Sequence, residues 1–223
     1  MGKIVVLGAT GATGQHLVRQ ALDQGDEVVA LCRNPSALPI KHDKLQAVQA
    51  DVFSVPSMVP HFTGCDAVFS CLGSSGSYSL STVTFYSETM KAITEAMREA
   101  GARRLVCMTS WNTNYRGSDP GTVFIEWVLK PFMHVMIGRT LDDMKRMEAH
   151  IQQCDDIIYT IVRPPGLANG PLTGKSVKCE ENGQYVYNTT MSRIFMSRAD
   201  VANFMLSTLK SSDYEQKIVA IAI

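Results

Sequence analysis

A glycine-rich turn near the start of the chain restricts its possible folds more than any other stretch. The apolar run at residues 4–7 is followed by Gly8, Gly11 and Gly14, and then by a segment with helical periodicity. This order predicts a buried parallel strand, a tight turn and the start of a helix. In such a unit the first glycine allows the turn, the second lets the backbone approach a pyrophosphate, and the third lets helix and strand pack closely.

The start of the predicted helix is also a phosphate site. Free N–H groups of a first helical turn, together with the positive end of the helix dipole, attract anions. A dinucleotide is therefore expected to contact the residues of this turn, and a glycine turn with a purely structural role is the alternative. The predicted contacts are Gly8, Thr10, Gly11, Ala12, Thr13 and Gly14.

Composition excludes several classes of function. The chain has 223 residues, with 21 basic and 21 acidic side chains, so charge gives no argument for a nucleic-acid partner. Its six cysteines lack metal-type pairing, which indicates reduced thiols in a cytoplasmic protein and no metal site. A strand that begins at residue 3 leaves no room for a signal peptide.

Apolar runs alternate with amphipathic segments along the rest of the chain. Further strands are predicted at residues 27–32, 45–50, 66–71, 104–108, 157–162 and 217–223, with helices after Gly14, at 81–101 and 141–154, and from Ser197. A short exposed hairpin is expected at 177–187. The pattern predicts an α/β fold: one Rossmann-type, doubly wound, mostly parallel sheet with helices on both faces, formed by residues 1–223.

The end of the second strand indicates which nicotinamide cofactor is bound. A carboxylate at this position would bind the ribose 2′-hydroxyl of NAD, whereas an arginine suits the 2′-phosphate of NADP. Arg33 stands there, and positions 32–34 contain no acid. We therefore predict NADP(H) as the cofactor; the alternative is a solvated arginine in a loop.

The other strand ends should line the same crevice, because the carboxyl ends of parallel strands meet at one edge. Asp51 is placed to bind the adenine amino group or, alternatively, to cap the following helix. Ser110 is placed to hydrogen-bond the nicotinamide carboxamide or a substrate carbonyl, or it is structural. Two prolines after the sixth strand force the chain out of the sheet beside the nicotinamide. The cofactor contacts expected here are Asp51, Val52, Leu72, Gly73, Thr109, Pro164, Pro165, Gly166 and Leu167.

The region at about 115–140 departs from this alternation and is interpreted as an apolar insertion. Residues 123–137 are strongly apolar but are interrupted by Glu126, Lys130 and Pro131, so they are too short and too charged to span a bilayer. A lid over a substrate pocket, a subunit interface and a patch resting on a membrane surface all fit this pattern. The adjacent 141–154 helix can pair Lys145 with Glu148 on one face.

Taken together, these motifs resemble the atypical short-chain dehydrogenase/reductases, and within them the group of NmrA-like proteins and biliverdin-IXβ (flavin) reductases. The resemblance runs almost end to end. It rests on Gly8-Ala9-Thr10-Gly11-Ala12-Thr13-Gly14, Arg33, Asp51-Val52, Leu72-Gly73, Thr109-Ser110, Arg163-Pro164-Pro165, Pro171-Leu172-Thr173-Gly174 and Ser197-Arg198-Ala199-Asp200-Val201. It implies NADP(H) as cofactor and Ser110 as the catalytic serine.

The departures from the resembled patterns bear on the chemistry. In the register of the superfamily's Tyr-x-x-x-Lys pair this chain has Leu141 and Lys145, so Lys145 is retained as a cofactor contact while the tyrosine is missing. The reductase group's histidine is replaced by Gly166 and its cysteine by Met108.

These differences favour an NADPH-dependent reductase that transfers hydride directly to a flavin, tetrapyrrole or quinone-like acceptor. A non-catalytic NADP(H)-binding sensor or scaffold of the NmrA-like type is the first alternative, and other chemistry such as epimerisation or isomerisation is the second. A monomer or weak homodimer, without a membrane span, is expected in each case.

Overall fold

The computed structural model describes residues 2–73, 83–114, 130–183, 186 and 195–223. Its strands within these ranges are β1 (Lys3–Leu7), β2 (Glu27–Cys32), β3 (Leu45–Gln49), β4 (Ala67–Ser70), β5 (Arg104–Met108), β6 (Ile158–Arg163), β7 (Gly166–Ala168), β8 (Lys178–Glu181), β9 (Phe195–Ser197) and β10 (Lys217–Ala222). Its helices of two or more turns there are α1 (Ala12–Asp23), α2 (Val55–Phe62), α3 (Phe85–Ala100), α4 (Lys130–Ile151) and α5 (Arg198–Ser207).

One sheet forms the centre of the described structure. Its strand order is β3-β2-β1-β4-β5-β6-β10-β8, and every neighbouring pair is parallel except β10 and β8. The connection direction reverses between β1 and β4, which are hydrogen-bonded neighbours. In a doubly wound sheet such a reversal opens a crevice at the carboxyl edge.

The two faces of the sheet have separate cores, as the strand alternation requires. Ile4 and Val6 of β1 pack with α1 and α5 on one face. Val5 and Leu7 pack with α2, α3 and α4 on the other face. All four side chains are at most 1% exposed. The predicted fold class, a doubly wound and mostly parallel sheet, is therefore confirmed.

Three elements differ from the sequence prediction. Helix α4 begins at Lys130 rather than at 141, since a proline in the first turn, here Pro131, is compatible with helix. β8 forms the first arm of the predicted hairpin but pairs antiparallel with β10, and the second arm lies mostly outside the described residues. The short pair of β7 and β9 was not predicted.

The apolar insertion falls largely outside the described residues, since 115–129 are not described and 130–140 are the first part of α4. The hypotheses of a lid, an interface and a membrane-surface patch therefore stay predictions. Among the described helices, none combines the length and the apolar composition needed to cross a membrane.

A buried carboxylate on α4 caps the start of α3. Asp143 is fully buried and accepts hydrogen bonds from the backbone N–H groups of Tyr86 (2.7 Å) and Ser87 (3.4 Å). The Ser87 hydroxyl also donates to it, at 2.5 Å. Thr84, at the N-cap position of α3, makes no capping hydrogen bond with its own side chain. The cap is therefore supplied by a different helix, which joins α3 to α4.

Asp143→Ala is expected to lower the free energy of unfolding by about 2–4 kcal/mol, because it removes a helix cap and leaves buried N–H groups without a partner. Urea unfolding followed by circular dichroism measures this. Asp155→Ala, which removes an exposed carboxylate, is the control and should change stability by less than about 0.5 kcal/mol. Equal effects from the two variants would contradict the capping role.

Candidate functional site

The carboxyl ends of six parallel strands bring most of the predicted site residues to one edge of the sheet. The residues that follow β1 to β6 all lie there, because these strands are parallel and in register. Lys145 is the exception, since it lies on α4, where its side chain is exposed.

The glycine turn has the geometry of a phosphate cradle. Gly8 has φ +76°, and a Cβ there would lie 2.5 Å from the carbonyl oxygen of Cys71. A Cβ on Gly14 would lie 2.3 Å from the Gly8 carbonyl oxygen, so α1 can approach β1 only if that position is glycine. A Cβ on Gly11 would lie 3.2 Å from the Gly8 carbonyl oxygen, a tight contact that a small shift would relieve. Gly11 is itself exposed, so its solvent-facing side is accessible to a ligand.

Helix α1 begins at this cradle without a cap. Gly11 is its N-cap residue, no side chain makes a capping hydrogen bond, and the first turn contains no acid. The positive end of the helix dipole thus faces the open space above Gly11. These residues fit the pyrophosphate of a dinucleotide.

Substitution of two of the glycines should separate cofactor binding from folding. Gly11→Ala is expected to lower the urea midpoint less than Gly14→Ala does while raising the Kd for NADPH at least about tenfold, because its methyl group enters the phosphate space and needs only a small shift of the Gly8 carbonyl. Gly14→Ala is expected to cost about 1–3 kcal/mol of stability or more, since its methyl would overlap the backbone of Gly8 and Ala9, just after β1. Fluorescence titration and urea unfolding measure the two effects. The opposite pattern would remove Gly11 from the phosphate site.

The ends of β2 and β3 bring Arg33 and Asp51 to this edge. Arg33 is exposed just after β2 and forms no ion pair with any described residue, so its guanidinium is available for an anion. Asn34 accepts hydrogen bonds from the backbone N–H and the hydroxyl of Ser36 and so fixes the turn after Arg33. One oxygen of Asp51 accepts from the N–H of Phe53 at 3.0 Å. Asp51 therefore closes its own turn and is not the cap of α2, whose N-cap residue is Ser54.

The end of β4 closes the middle of the crevice. Leu72 is half-buried and Gly73 is exposed, while the rest of the predicted glycine-bearing loop, 74–76, lies outside the described residues. Burial raises the pKa of the Cys71 thiol to about 12 and that of Cys107 further still. Neither thiol is poised as a thiolate nucleophile.

The ends of β5 and β6 are tied together by backbone hydrogen bonds. The backbone N–H of Thr109 donates to the Val162 carbonyl, and that of Trp111 donates to Pro164, at 2.9 and 3.0 Å. Between them, half-buried Ser110 accepts from the N–H and the hydroxyl of Thr113 through its carbonyl oxygen. Ser110 is thus held in a turn of fixed shape.

A buried ion pair lies beneath Ser110, and the sequence prediction missed it. Glu148 of α4 accepts two hydrogen bonds from the guanidinium of Arg163, at 3.0 and 2.6 Å, and one from the Thr109 hydroxyl, at 2.7 Å. The expected pairing of Lys145 with Glu148 is wrong, because both Glu148 oxygens face Arg163. The signal was present in the sequence: Glu148 shares the helical face of Met144, Met147 and Ile151.

After β6 the chain leaves the central sheet, as the two prolines predicted. Pro164 and Pro165 are buried, and Gly166 and Leu167 then enter β7, which pairs with β9 in a separate two-stranded sheet. Gly166 is exposed at this step. It stands where the resembled reductases have a histidine, so the backbone borders the site here without an acid.

Helix α4 likewise has no proton-donating side chain at the position of the superfamily's tyrosine. Leu141 is 1% exposed and belongs to the protein interior. The described edge can therefore hold and orient a dinucleotide, but it lacks the tyrosine that would protonate an alkoxide.

A comparison with known protein families shows which family the chain belongs to. Residues 8–212 match the family model described as NAD(P)H-binding. The chain belongs to this NAD(P)H-binding family. It binds NAD(P)H, and the family resemblance to atypical short-chain dehydrogenase/reductases is confirmed.

Proteins similar to this chain are named for different activities. YhfK of Bacillus subtilis, an uncharacterized sugar epimerase, is 27% identical, with 96% of this chain and 91% of the relative covered. A short-chain dehydrogenase/reductase of Veillonella parvula in complex with NADP has a TM-score of 0.74 at 14% identity, covering 99% and 94%. ChuY, an anaerobillin reductase of Escherichia coli O157:H7, has a TM-score of 0.73 at 19% identity, covering 98% and 96%. At these identities the two structures show a shared fold.

Proposed function

We propose that the protein is an NADPH-dependent reductase that transfers hydride to a conjugated acceptor of the flavin or tetrapyrrole type. The observation that carries the proposal is the buried Leu141 at the position of the usual tyrosine. Reduction of a carbonyl to an alcohol needs a proton donor at the substrate oxygen. A conjugated acceptor can take hydride at a ring nitrogen, as a flavin does, or at a bridging carbon, as a tetrapyrrole does, and spread the negative charge, so solvent can supply the proton afterwards.

The residues of the edge would divide the work of holding the reactants. Gly11 and the first turn of α1 would bind the pyrophosphate, and Arg33 the 2′-phosphate. Ser110 and Gly166 would border the nicotinamide, with the Ser110 hydroxyl orienting the carboxamide or an acceptor carbonyl. Thr109, whose hydroxyl donates to Glu148, would meet the cofactor only with its backbone. NADPH, when bound, supplies the hydride. Catalysis would then depend on orientation rather than on a dedicated acid.

The comparisons support the oxidoreductase class more strongly than they support a particular acceptor. The family binds NAD(P)H, and ChuY, whose fold this chain shares, is an anaerobillin reductase. The name of YhfK suggests epimerisation as different chemistry for the same fold. An epimerase returns its hydride and does not consume NADPH, so net oxidation of the cofactor distinguishes the two.

We expect the protein to oxidise NADPH in the presence of FMN or biliverdin, measured as loss of absorbance at 340 nm.

Ser110→Ala should lower kcat by about tenfold or more with the Kd for NADPH nearly unchanged, because the hydroxyl orients the reacting groups. Unchanged turnover would make Ser110 structural. Tight binding of NADPH without reduction of any flavin, tetrapyrrole or quinone would replace the reductase by a non-catalytic NADP(H) sensor.

Arg33→Asp should weaken binding of NADPH by about 100-fold and leave NADH binding within about threefold, since the lost contact is to the 2′-phosphate alone. Titration of both cofactors by nicotinamide fluorescence measures the ratio. Arg19→Asp, on the exposed face of α1, is the control for a general change in charge. Equal losses for NADPH and NADH would contradict the assignment of Arg33.

A further inference from the structure

We propose that Glu148, paired with Arg163, is a positioning residue that fixes Ser110 and Gly166 relative to each other for hydride transfer. This inference rests on the proposed reductase function and adds to it residues that touch neither cofactor nor substrate. Its basis is a single buried carboxylate that joins three elements at the nicotinamide side of the crevice.

The contacts of Glu148 reach both walls of the site. One of its oxygens, Oε1, accepts from the Thr109 hydroxyl at 2.7 Å and from Nε of Arg163 at 3.0 Å. The other, Oε2, accepts from a terminal nitrogen of Arg163 at 2.6 Å. Glu148 thereby connects α4 to the end of β5 and to the end of β6.

Each partner of Glu148 lies within three residues of a residue that borders the site. Thr109 precedes Ser110, and Arg163 precedes the prolines that lead to Gly166. The Trp111 N–H to Pro164 carbonyl bond links the two segments again above the ion pair. A shift of the Glu148 carboxylate would therefore be transmitted from Thr109 to Ser110 through one peptide bond and from Arg163 to Gly166 through three.

The guanidinium of Arg163 extends this frame to a third segment. Its remaining terminal nitrogen donates to the carbonyl of Gly183 at 3.1 Å, just after β8. Arg163 and Glu148 are 8% and 3% exposed, so the whole group lies in a region of low dielectric. Ionic hydrogen bonds with such fork geometry are stiff and directional.

Stability alone does not account for a charged pair at this place. Well-packed apolar residues usually stabilise a protein as much as a buried ion pair does, because they avoid the desolvation of two charges. Most of α4's inner face follows that rule, with Leu141, Met147 and Ile151 all buried. Its buried carboxylates have separate partners: Asp143 caps the start of α3, whereas Glu148 faces Thr109.

The test must separate misplacement of the reacting groups from loss of stability. Thr109→Val removes one hydrogen bond and keeps the Glu148–Arg163 pair, so it should fold even if Glu148→Gln does not. We expect kcat to fall about tenfold in Thr109→Val and about 100-fold in Glu148→Gln, because small misplacements are costly in hydride transfer. In both variants the Kd for NADPH should stay within about threefold of the wild-type value. Thr109→Ser, which keeps the hydroxyl group, should have a kcat close to that of the wild type.

Two further measurements report the position of the nicotinamide. The primary isotope effect with NADPH deuterated at nicotinamide C4 should rise in Thr109→Val, and the emission of bound NADPH should move toward that of free NADPH. Asp143→Asn is the matched control, since it makes the same change at a buried carboxylate of α4 whose hydrogen bonds go to α3 and Arg146 rather than to Thr109 or Arg163. It should lower stability and leave kcat, isotope effect and emission as in the wild type.

Two results would overturn the inference: wild-type kcat, isotope effect and emission in Thr109→Val, or an equal loss of kcat in Asp143→Asn and Thr109→Val. If the unaltered protein reduces no acceptor, the proposed function fails by itself. The emission of bound NADPH then decides the positioning role: wild-type emission in Thr109→Val overturns it, and a selective change in that variant supports it.

Discussion

The approach of α1 to β1 at the glycine turn is the constraint on which the rest of the structure depends. The helix can lie against the strand because Gly14 has no Cβ to meet the Gly8 carbonyl, which would be 2.3 Å away. The same approach aims the uncapped start of α1 at the crevice between β1 and β4. One backbone contact therefore sets the helix on its face of the sheet and creates the anion site at the carboxyl edge.

The sequence could predict this half of the molecule because its signals are local. Ile4 to Leu7, the three glycines and Arg33 lie within one βαβ unit, so spacing along the chain translates directly into position in space. The alternation of later strands and helices has the same local character. Hydrophobic periodicity identifies them with boundaries shifted by a few residues, as at the start of α3.

The other half depends on contacts between residues far apart in the sequence, which periodicity does not contain. Thr109 and Glu148 are 39 residues apart, and Tyr86 and Asp143 are 57 apart. A charged residue on an apolar face signals that a buried partner exists, but it does not name the partner. This is why Lys145, the neighbour on the same helix, was wrongly expected to pair with Glu148, and why β8 was not expected to join β10.

The distribution of charge at the edge follows a consistent chemical logic. At the adenine side, Arg33 is exposed and pairs with no described residue, as suits a group that binds a ligand anion. At the nicotinamide side, Arg163 is buried and its charge is matched by Glu148. A carboxylate whose two oxygens accept three hydrogen bonds has no hydrogen to donate, so Glu148 does not replace the missing tyrosine as an acid. Among the described residues of this edge, helix α4 thus contributes a fixed arrangement of side chains rather than a proton donor.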